Sequence, residues 1–419
     1  MSKLKAPRGT QDILAEDSKL WQKIEAEAIK VFAAAGFNEI RTPIFESTEL
    51  FSRAVGEDSD IVNKEMYSFT DKSDRPLTLR PEATAAIVRA YNEHSLERAP
   101  KPHKLWYRGP MFRYERPQTG RYRQFHQIGI EAIGSKPPYI DLEIIQVGMQ
   151  LLSNLGLNDL TLYINSLGNQ ASREAYTKAL KDFLSGLQED VCEDCQRRYQ
   201  QNPLRALDCK QEADQALYKN APSLQDYLDE ESKEIWTAML QGLDKLAIKY
   251  IVDPRLVRGL DYYSHAVFEI KTSSKELAGQ NTVLAGGRYD KLVKDLGGQE
   301  SPAVGWALGL ERLASLIENK TETGGLYIIS DSAMDAQILA RKLRQDTNNS
   351  ITIDYDYNSS KFNKQLERAI KRSYDWALFY MEDERNSGKF KLKNLRETVE
   401  YNDLDYDAVV ARTTSCNAL

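Results

Sequence analysis

At 419 residues the chain is longer than one ordinary core fills, so about two or three domains are expected. Its 41% hydrophobic and 28% charged residues are those of a globular protein, and no apolar run approaches the ~20 residues that cross a bilayer. A formal net charge of -6 excludes a protein that coats nucleic acid non-specifically, leaves a specific nucleic-acid partner open, and comes with four cysteines, too few for a disulfide framework.

The opening stretch MSKLKAPRGTQDIL has no apolar h-region, which predicts no secretory signal and a cytoplasmic protein. A helix follows over residues 18–35, where Leu20, Trp21, Ile24, Ala28, Val31 and Phe32 form one stripe and Gly36 supplies the stop. FNEIRTPIF then runs extended, with Pro43 at an element end or a sheet edge. LTLRP reads as a strand and EATAAIVRAYNEH as a helix. KLWYRGPMFRYE and RQFHQIGIEAIG read as paired strands around the polar loop RPQTGRYR. A helix over residues 139–155 and the strand LTLYINSLG come next. Residues 170–250 are highly charged and mostly helical, and read as an inserted subdomain. Strands return in LDYYSHAVFEIKT, TVLAGGRYD and AVGWALGL, followed by the helix LERLASLIEN and the polar linker NKTETGG. Beyond residue 325, strands alternate with helices over residues 333–344 and 361–373, which predicts a small α/β domain with a mostly parallel sheet.

A site that joins a carboxylate to ATP must screen a triphosphate, hold the carboxylate in line with the α-phosphorus and stabilise charge on the phosphoryl oxygens. Arginines on rigid strands suit all three tasks. Arg113 and Glu115 are spaced to share a strand face, Arg116, Arg121 and Arg123 follow in the loop, and Arg312 opens a helix after a glycine-bearing strand. Taken singly, a strand arginine is more often a solvated or ion-paired cation. No P-loop and no kinase glycine loop is present.

Phe112-Arg113-Tyr114-Glu115, the loop and second strand behind it, and the distant Glu311-Arg312 resemble motifs 2 and 3 of the class II aminoacyl-tRNA synthetases. Residues 37–51, with Pro43, resemble motif 1 of that class, which implies a homodimer built through this region. LRPEAT, RQFHQIGIEAIG, RGLDYY (residues 258–263) and AGGRYD (residues 285–290) are similar to the histidine-specific family. The resemblance implies an α+β catalytic domain over residues 1–324, with a mainly antiparallel sheet flanked by helices and the helical insertion over the tRNA acceptor arm. It further implies a C-terminal α/β anticodon-binding domain over residues 325–419.

In function, the resemblance implies a ligase that forms histidyl-adenylate and pyrophosphate from histidine and ATP and then acylates the 3′ end of tRNA(His). By the same resemblance Arg113 would touch the α-phosphate and the histidine carboxylate, Glu115 the adenine amino group, Phe125 the adenine ring and Arg312 the γ-phosphate, with Arg121 beside them at the ATP. Glu82 and Thr84 would face the α-amino group, Gln127 the carboxylate, and Glu131 and Tyr263 the two imidazole nitrogens, next to Tyr262. Arg258 would act as electrostatic catalyst in place of a magnesium ion near the α-phosphate. Magnesium would accompany ATP through phosphate oxygens and water.

On a regular strand only one of Tyr262 and Tyr263 can point into a pocket, and Tyr263 is the favoured one. His126 lies between two pocket residues and should face away, and the other histidines lack a partner at the spacing of a hydrolytic triad. Gly286 and Gly287 fit either a bulge or a close backbone approach. Cys192 and Cys195 form a C-x-x-C and Cys209 follows, but no fourth ligand is evident, so no resident metal is expected. Lys361, Lys364, Arg368, Lys371 and Arg372 form a candidate phosphate-contacting face. Two departures from the family pattern stand out: Trp306 where Phe is common, and a loosely fitting C-terminal domain. Two rivals remain: a non-catalytic regulator of histidine biosynthesis, disfavoured by the retained arginines and the C-terminal domain, and a synthetase of the same subclass for another amino acid.

Overall fold

Alternation along the central strands gives this protein a sheet with two unlike faces. The computed structural model describes the chain except residues 1–2, 57–58, 60, 118–119, 210, 259, 261, 275–280, 319–323 and 415–419 and the side chains of Gln201 and Asp208. The chain divides into two compact units, Met1–Asn319 and Lys320–Leu419.

The first unit opens with α1 (Ala15–Ala34), which buries Leu20, Ile24, Ala28, Val31 and Phe32 as the stripe predicts. Then come β1 (Asn38–Glu39), β2 (Phe45–Ser47), α2 (Thr48–Val55), β3 (Tyr67–Thr70), β4 (Pro76–Leu79) and α3 (Thr84–Glu93). The hairpin of β5 (His103–Phe112) and β6 (Gln124–Ile133) leads to α4 (Tyr139–Asn154) and β7 (Leu160–Ser166). The helical segment holds α5 (Gln170–Ser185), α6 (Glu193–Gln201), α7 (Glu212–Leu217) and α8 (Glu230–Lys245). The chain rejoins the sheet through β8 (Tyr250–Val252), β9 (Ser264–Thr272) and β10 (Thr282–Tyr289), and ends the unit with α9 (Leu292–Asp295), β11 (Ala303–Gly309) and α10 (Leu310–Leu316).

Among the described residues the large sheet runs β1-β5-β6-β11-β10-β9-β7-β8, parallel only at its two edge pairs and antiparallel between. One face carries Trp106, Ile128, Ile130, Phe268, Val304, Trp306 and Leu308 into a core shared with α1, α4, α8 and α10. Because side chains alternate, Gln127, Gly129, Glu131, Glu269, Gly305 and Ala307 belong to the opposite face. There Tyr107, Met111 and Val267 pack in a second core with α2, α3 and α5. The helical segment is not wholly an appendage, since α8 sends Met239 and Leu243 into the first core.

Trp306 packs into the first core. Its indole donates to the Ile144 carbonyl at 2.8 Å, and a Cβ at Gly148 would come within 3.2 Å of that indole nitrogen. A small antiparallel sheet, β2-β4-β3, flanks the large one. Arg80 fastens the chain leaving that small sheet by donating to the carbonyls of Pro110 at 2.9 Å and Thr42 at 3.1 Å.

The second unit contains β12 (Leu326–Ile329), α11 (Ala333–Asp346), β13 (Ile353–Tyr355), α12 (Phe362–Lys371), β14 (Trp376–Phe379), α13 (Glu382–Ser387), β15 (Phe390–Asn394), β16 (Glu400–Leu404) and α14 (Tyr406–Thr414). Its order is β13-β12-β14-β15-β16. The expectation of a mostly parallel sheet is corrected: β13, β12 and β14 are parallel, but β15 and β16 turn back antiparallel. The edge strand EYNDL is largely exposed, so it lacks the apolar alternation by which a strand is recognised.

Candidate active site

The polar face of the sheet opens into a cleft of about 750 Å³. All twelve residues singled out from the sequence line it: Glu82, Thr84, Arg113, Glu115, Arg121, Phe125, Gln127, Glu131, Arg258, Tyr262, Tyr263 and Arg312.

One end is built around Glu131. Its two carboxylate oxygens are bonded to Thr84 Oγ1 at 2.7 Å and Tyr289 Oη at 2.6 Å. In the β6–β11 ladder Glu131 stands opposite Gly305, and a Cβ there would lie 1.8 Å from its Oε2. The glycine of the strand before Arg312 is thus the space in which this carboxylate rests. Burial pushes Glu131 up to about 8, opposed by its Tyr289 and Thr84 bonds and reinforced by the neighbouring Glu82. Glu82 is also raised by burial, against the amides of Ala85 and Thr84 that it caps at 3.0 and 2.6 Å at the start of α3. The Gln127 Oε1 atom is buried without a hydrogen-bond partner among the described residues.

Tyr262 and Tyr263 both line the cleft, which corrects the expectation that only one can. They precede β9 and so escape strand alternation, with ring centroids 4.7 Å apart. Tyr262 also meets Tyr289 edge-on at 5.5 Å. The glycine pair serves both readings offered for it. A register irregularity falls between Gly287 and Arg288, and Cβ atoms would strike the Gly305 carbonyl at 2.2 Å from Gly286 and the Tyr263 ring at 2.8 Å from Gly287. Arg288 pairs with buried Asp141 and ties the strand to α4.

The other end holds the arginines. Arg113 and Glu115 lie just beyond the end of β5, not on the strand as expected; the Arg113 amide still pairs with the Arg123 carbonyl at 2.9 Å. The Arg113 side chain donates to the Pro81 carbonyl at 2.9 Å and sits 5.3 Å from the Phe125 ring centroid. Arg121 pairs with Glu115 at 3.1 Å, and Arg312 donates to the Thr282 carbonyl at 2.6 Å. Burial, and then the charge of Arg121, lower the Arg312 pKa, while Glu115 and Glu269 oppose. A guanidinium whose charge is disfavoured by burial and by a neighbouring cation is what a polyanion relieves.

Arg258 bridges the two ends and pairs with Glu269. Gly259 and Asp261 of the same motif lie outside the described residues. Sequence reasoning gave no role to Glu269, Tyr289 or Tyr107, which also line the cleft. A charged residue inside the apolar run SHAVFEIKT was the available signal for Glu269. His126 faces away: its ring and backbone N–H both meet Glu311 at 3.0 Å, and Trp21 packs on it edge-on. His265 lies 3.5 Å from Asp290, but Ser264 donates to that carboxylate at 3.0 Å, so this is no nucleophile–base pair.

A mainly antiparallel sheet with an arginine-lined cleft, a motif 2 hairpin and a motif 3 strand-helix defines a class II aminoacyl-tRNA synthetase catalytic unit. A family model described as Histidyl-tRNA synthetase matches residues 9–313. The chain is 46% identical over 403 residues to Histidine--tRNA ligase of Picosynechococcus sp., covering 94% of this chain and 93% of that protein. It is also 46% identical over 400 residues to Histidine--tRNA ligase of Prochlorococcus marinus, covering 95% and 94%. Among solved structures, apo S. aureus histidyl-tRNA synthetase superposes with a TM-score of 0.80 at 38% identity over 98% of this chain and 100% of that one. The chain belongs to the histidyl-tRNA synthetase family.

Proposed function

We propose that this cleft performs the family's reaction in two steps: attack of the histidine carboxylate on the α-phosphorus of ATP, with loss of pyrophosphate, then transfer of the histidyl group to the 3′-terminal ribose of tRNA(His). The observation that carries the reading is the division of one cleft into a carboxylate–phenol end and an arginine end, bridged by Arg258.

At the first end, Glu131 and Tyr263 read the two imidazole nitrogens, with Tyr262 beside them, while Glu82 and Thr84 receive the α-amino group and Gln127 the carboxylate region. A site built on paired polar atoms discriminates strongly against an analogue that lacks them. At the second end, Arg113 meets the α-phosphate, Phe125 the adenine face, Glu115 the adenine amino group, and Arg121 and Arg312 the outer phosphates. Arg258 neutralises the charge that develops on the α-phosphoryl oxygens. Magnesium would accompany the triphosphate, held by phosphate oxygens and water, and would supply further charge neutralisation.

A second cavity of about 730 Å³ shares Arg258, Leu260 and Tyr263 with the cleft and is lined by Arg173, Lys178, Lys181, Arg205 and Lys291. This basic passage between α5 and the cleft is our candidate entry for the tRNA 3′ end. The second unit is assigned to the anticodon, with Tyr357, 70% exposed beside Tyr355, as a stacking surface. Exposed Ile44 and Phe45 in the motif 1 region, with Phe69 of the neighbouring β3 against Phe45, mark the proposed homodimer face. No helix of the described residues is long and apolar enough to cross a membrane, and we assign the protein to the cytoplasm.

Rapid-quench measurement of histidyl-adenylate tests the role of Arg258. R258A should slow adenylate formation by about 10²–10³-fold, with histidine affinity by calorimetry within a few-fold of wild type. Because Arg258 shares Glu269 with Lys271, R258A/E269Q serves as the control that separates loss of the guanidinium from the effect of the freed carboxylate. A wild-type rate in either variant would remove Arg258 from the chemistry.

A further inference from the structure

The helical segment between α5 and α8 gathers three thiols and a carboxylate that the reaction does not use. Cys192 caps the start of α6, Cys195 lies in its first turn, Cys209 follows the 3-10 turn Pro203–Asp208, and Asp214 is in α7. The ligand was not evident from sequence because Asp214 comes from a different element, five residues beyond Cys209. The expectation of an incomplete set is therefore corrected.

The four ligand atoms all lie within 4.8 Å of one another. Tetrahedral zinc holds thiolate sulfurs at ~2.3 Å, which fixes a sulfur–sulfur edge of roughly 3.8 Å. Cys192 Sγ and Cys209 Sγ are 3.8 Å apart, and Asp214 Oδ2 is 3.2 Å from Cys209 Sγ. Cys195, Cys209 and Asp214 are buried, at 1%, 4% and 3% exposure, so the set is shielded as a structural metal centre requires. Asp214 has no ion pair among the described residues; it accepts from the Cys192 amide at 3.2 Å and the Cys209 thiol, with the other two thiols of the cluster beside it. A carboxylate buried on those terms lacks the cation that ordinarily compensates it. The Gln211 amide donates to Cys209 Sγ at 3.4 Å, the kind of outer contact that steadies a metal-bound thiolate.

We propose that Cys192, Cys195, Cys209 and Asp214 bind one zinc ion, closed by four protein ligands and structural in role. The segment needs such a staple. α6 reads EDCQRRYQQ, a nine-residue helix with almost no apolar face, too short and polar to hold itself. Zinc joins its N-terminus to the 3-10 turn and to α7 in place of a larger core. The staple also reaches the cleft: Gln215, next to Asp214, donates to the Cys209 carbonyl at 2.9 Å and lines the ATP and histidine site. Zinc thus steadies a part of this segment that borders the cleft.

The full-length protein, purified without chelator under reducing conditions, should carry about one zinc per chain by plasma emission spectroscopy. C195S and C209S should fall to roughly a tenth of that or less, D214N should hold zinc about 10–100-fold more weakly, and C416S should be unaffected. Cobalt substitution of the wild type should give tetrahedral ligand-field bands with thiolate charge transfer, a readout that stands even where a cysteine variant fails to fold. Wild-type protein that stays metal-free after incubation with zinc, or cobalt bands without thiolate charge transfer, would overturn the proposal. So would a disulfide among these cysteines detected by mass spectrometry of freshly reduced, air-protected protein.

Discussion

Glu131 is held where β6, α3 and β10 meet, by Thr84 and Tyr289, and its environment makes a measurable demand. Its folded-state pKa, near 8, lies far above the ordinary 4.5. Between those values the folded protein keeps a proton that the unfolded chain has released, so the contribution to stability is complete below the ordinary value and is lost as pH rises through about 8. E131Q keeps the shape and removes the titration. In thermal melts without ligand, the stability of wild type relative to E131Q should fall steadily from pH 5 to pH 8.5. A difference that is flat with pH would mean that Glu131 is ionised throughout. Most of this site was legible because arginines and carboxylates at strand spacing are few and chemically pointed. Tyr289 was not read as a partner because its role depends on a cross-sheet contact, 158 residues away in sequence, that no local pattern encodes.

The elements add constraints that side chains alone do not. Gly305 gives Glu131 its room, so G305A should cost about 1–3 kcal/mol in chemical denaturation and raise the KM for histidine more than that for ATP. Equal effects on both substrates would show that the strand, not the carboxylate, was disturbed. At α12 the basic face expected from sequence is largely neutralised: Arg368 pairs with Asp356 at 2.8 Å, Arg372 with Asp354 at 2.9 Å and Lys371 with Glu367 at 2.6 Å. Helical spacing located the cations, but their acidic partners sit on β13, the loop after it and the same helix. Of these five, Lys361 and Lys364 have no ion pair among the described residues, so K361A/K364A should reduce the salt slope of tRNA binding by at most about two. An unchanged slope would assign both lysines to solvent. The same limit explains the earlier misreadings. Arg113 and Glu115 follow a strand that ends at Phe112, one and three positions before them, and β16 is too polar at a sheet edge to announce itself.

For the whole molecule, the family, the mainly antiparallel sheet and the helical excursion from it were all readable, because alternation and helical stripes report burial directly. Less readable was how the excursion returns. α8 packs on the catalytic core, and three cysteines with an aspartate from separate elements close on one point. Each unit has its own core, so adenylation should depend on the first unit's cleft and not on tRNA contacts of the second. The most direct test is ATP–pyrophosphate exchange by the full-length protein, with magnesium and no tRNA, across the standard amino acids. Exchange that is robust with histidine and at background with every other amino acid is the predicted result. No exchange with histidine, or equal exchange with a second amino acid, would contradict the assignment of the Glu131–Tyr263 end to the imidazole.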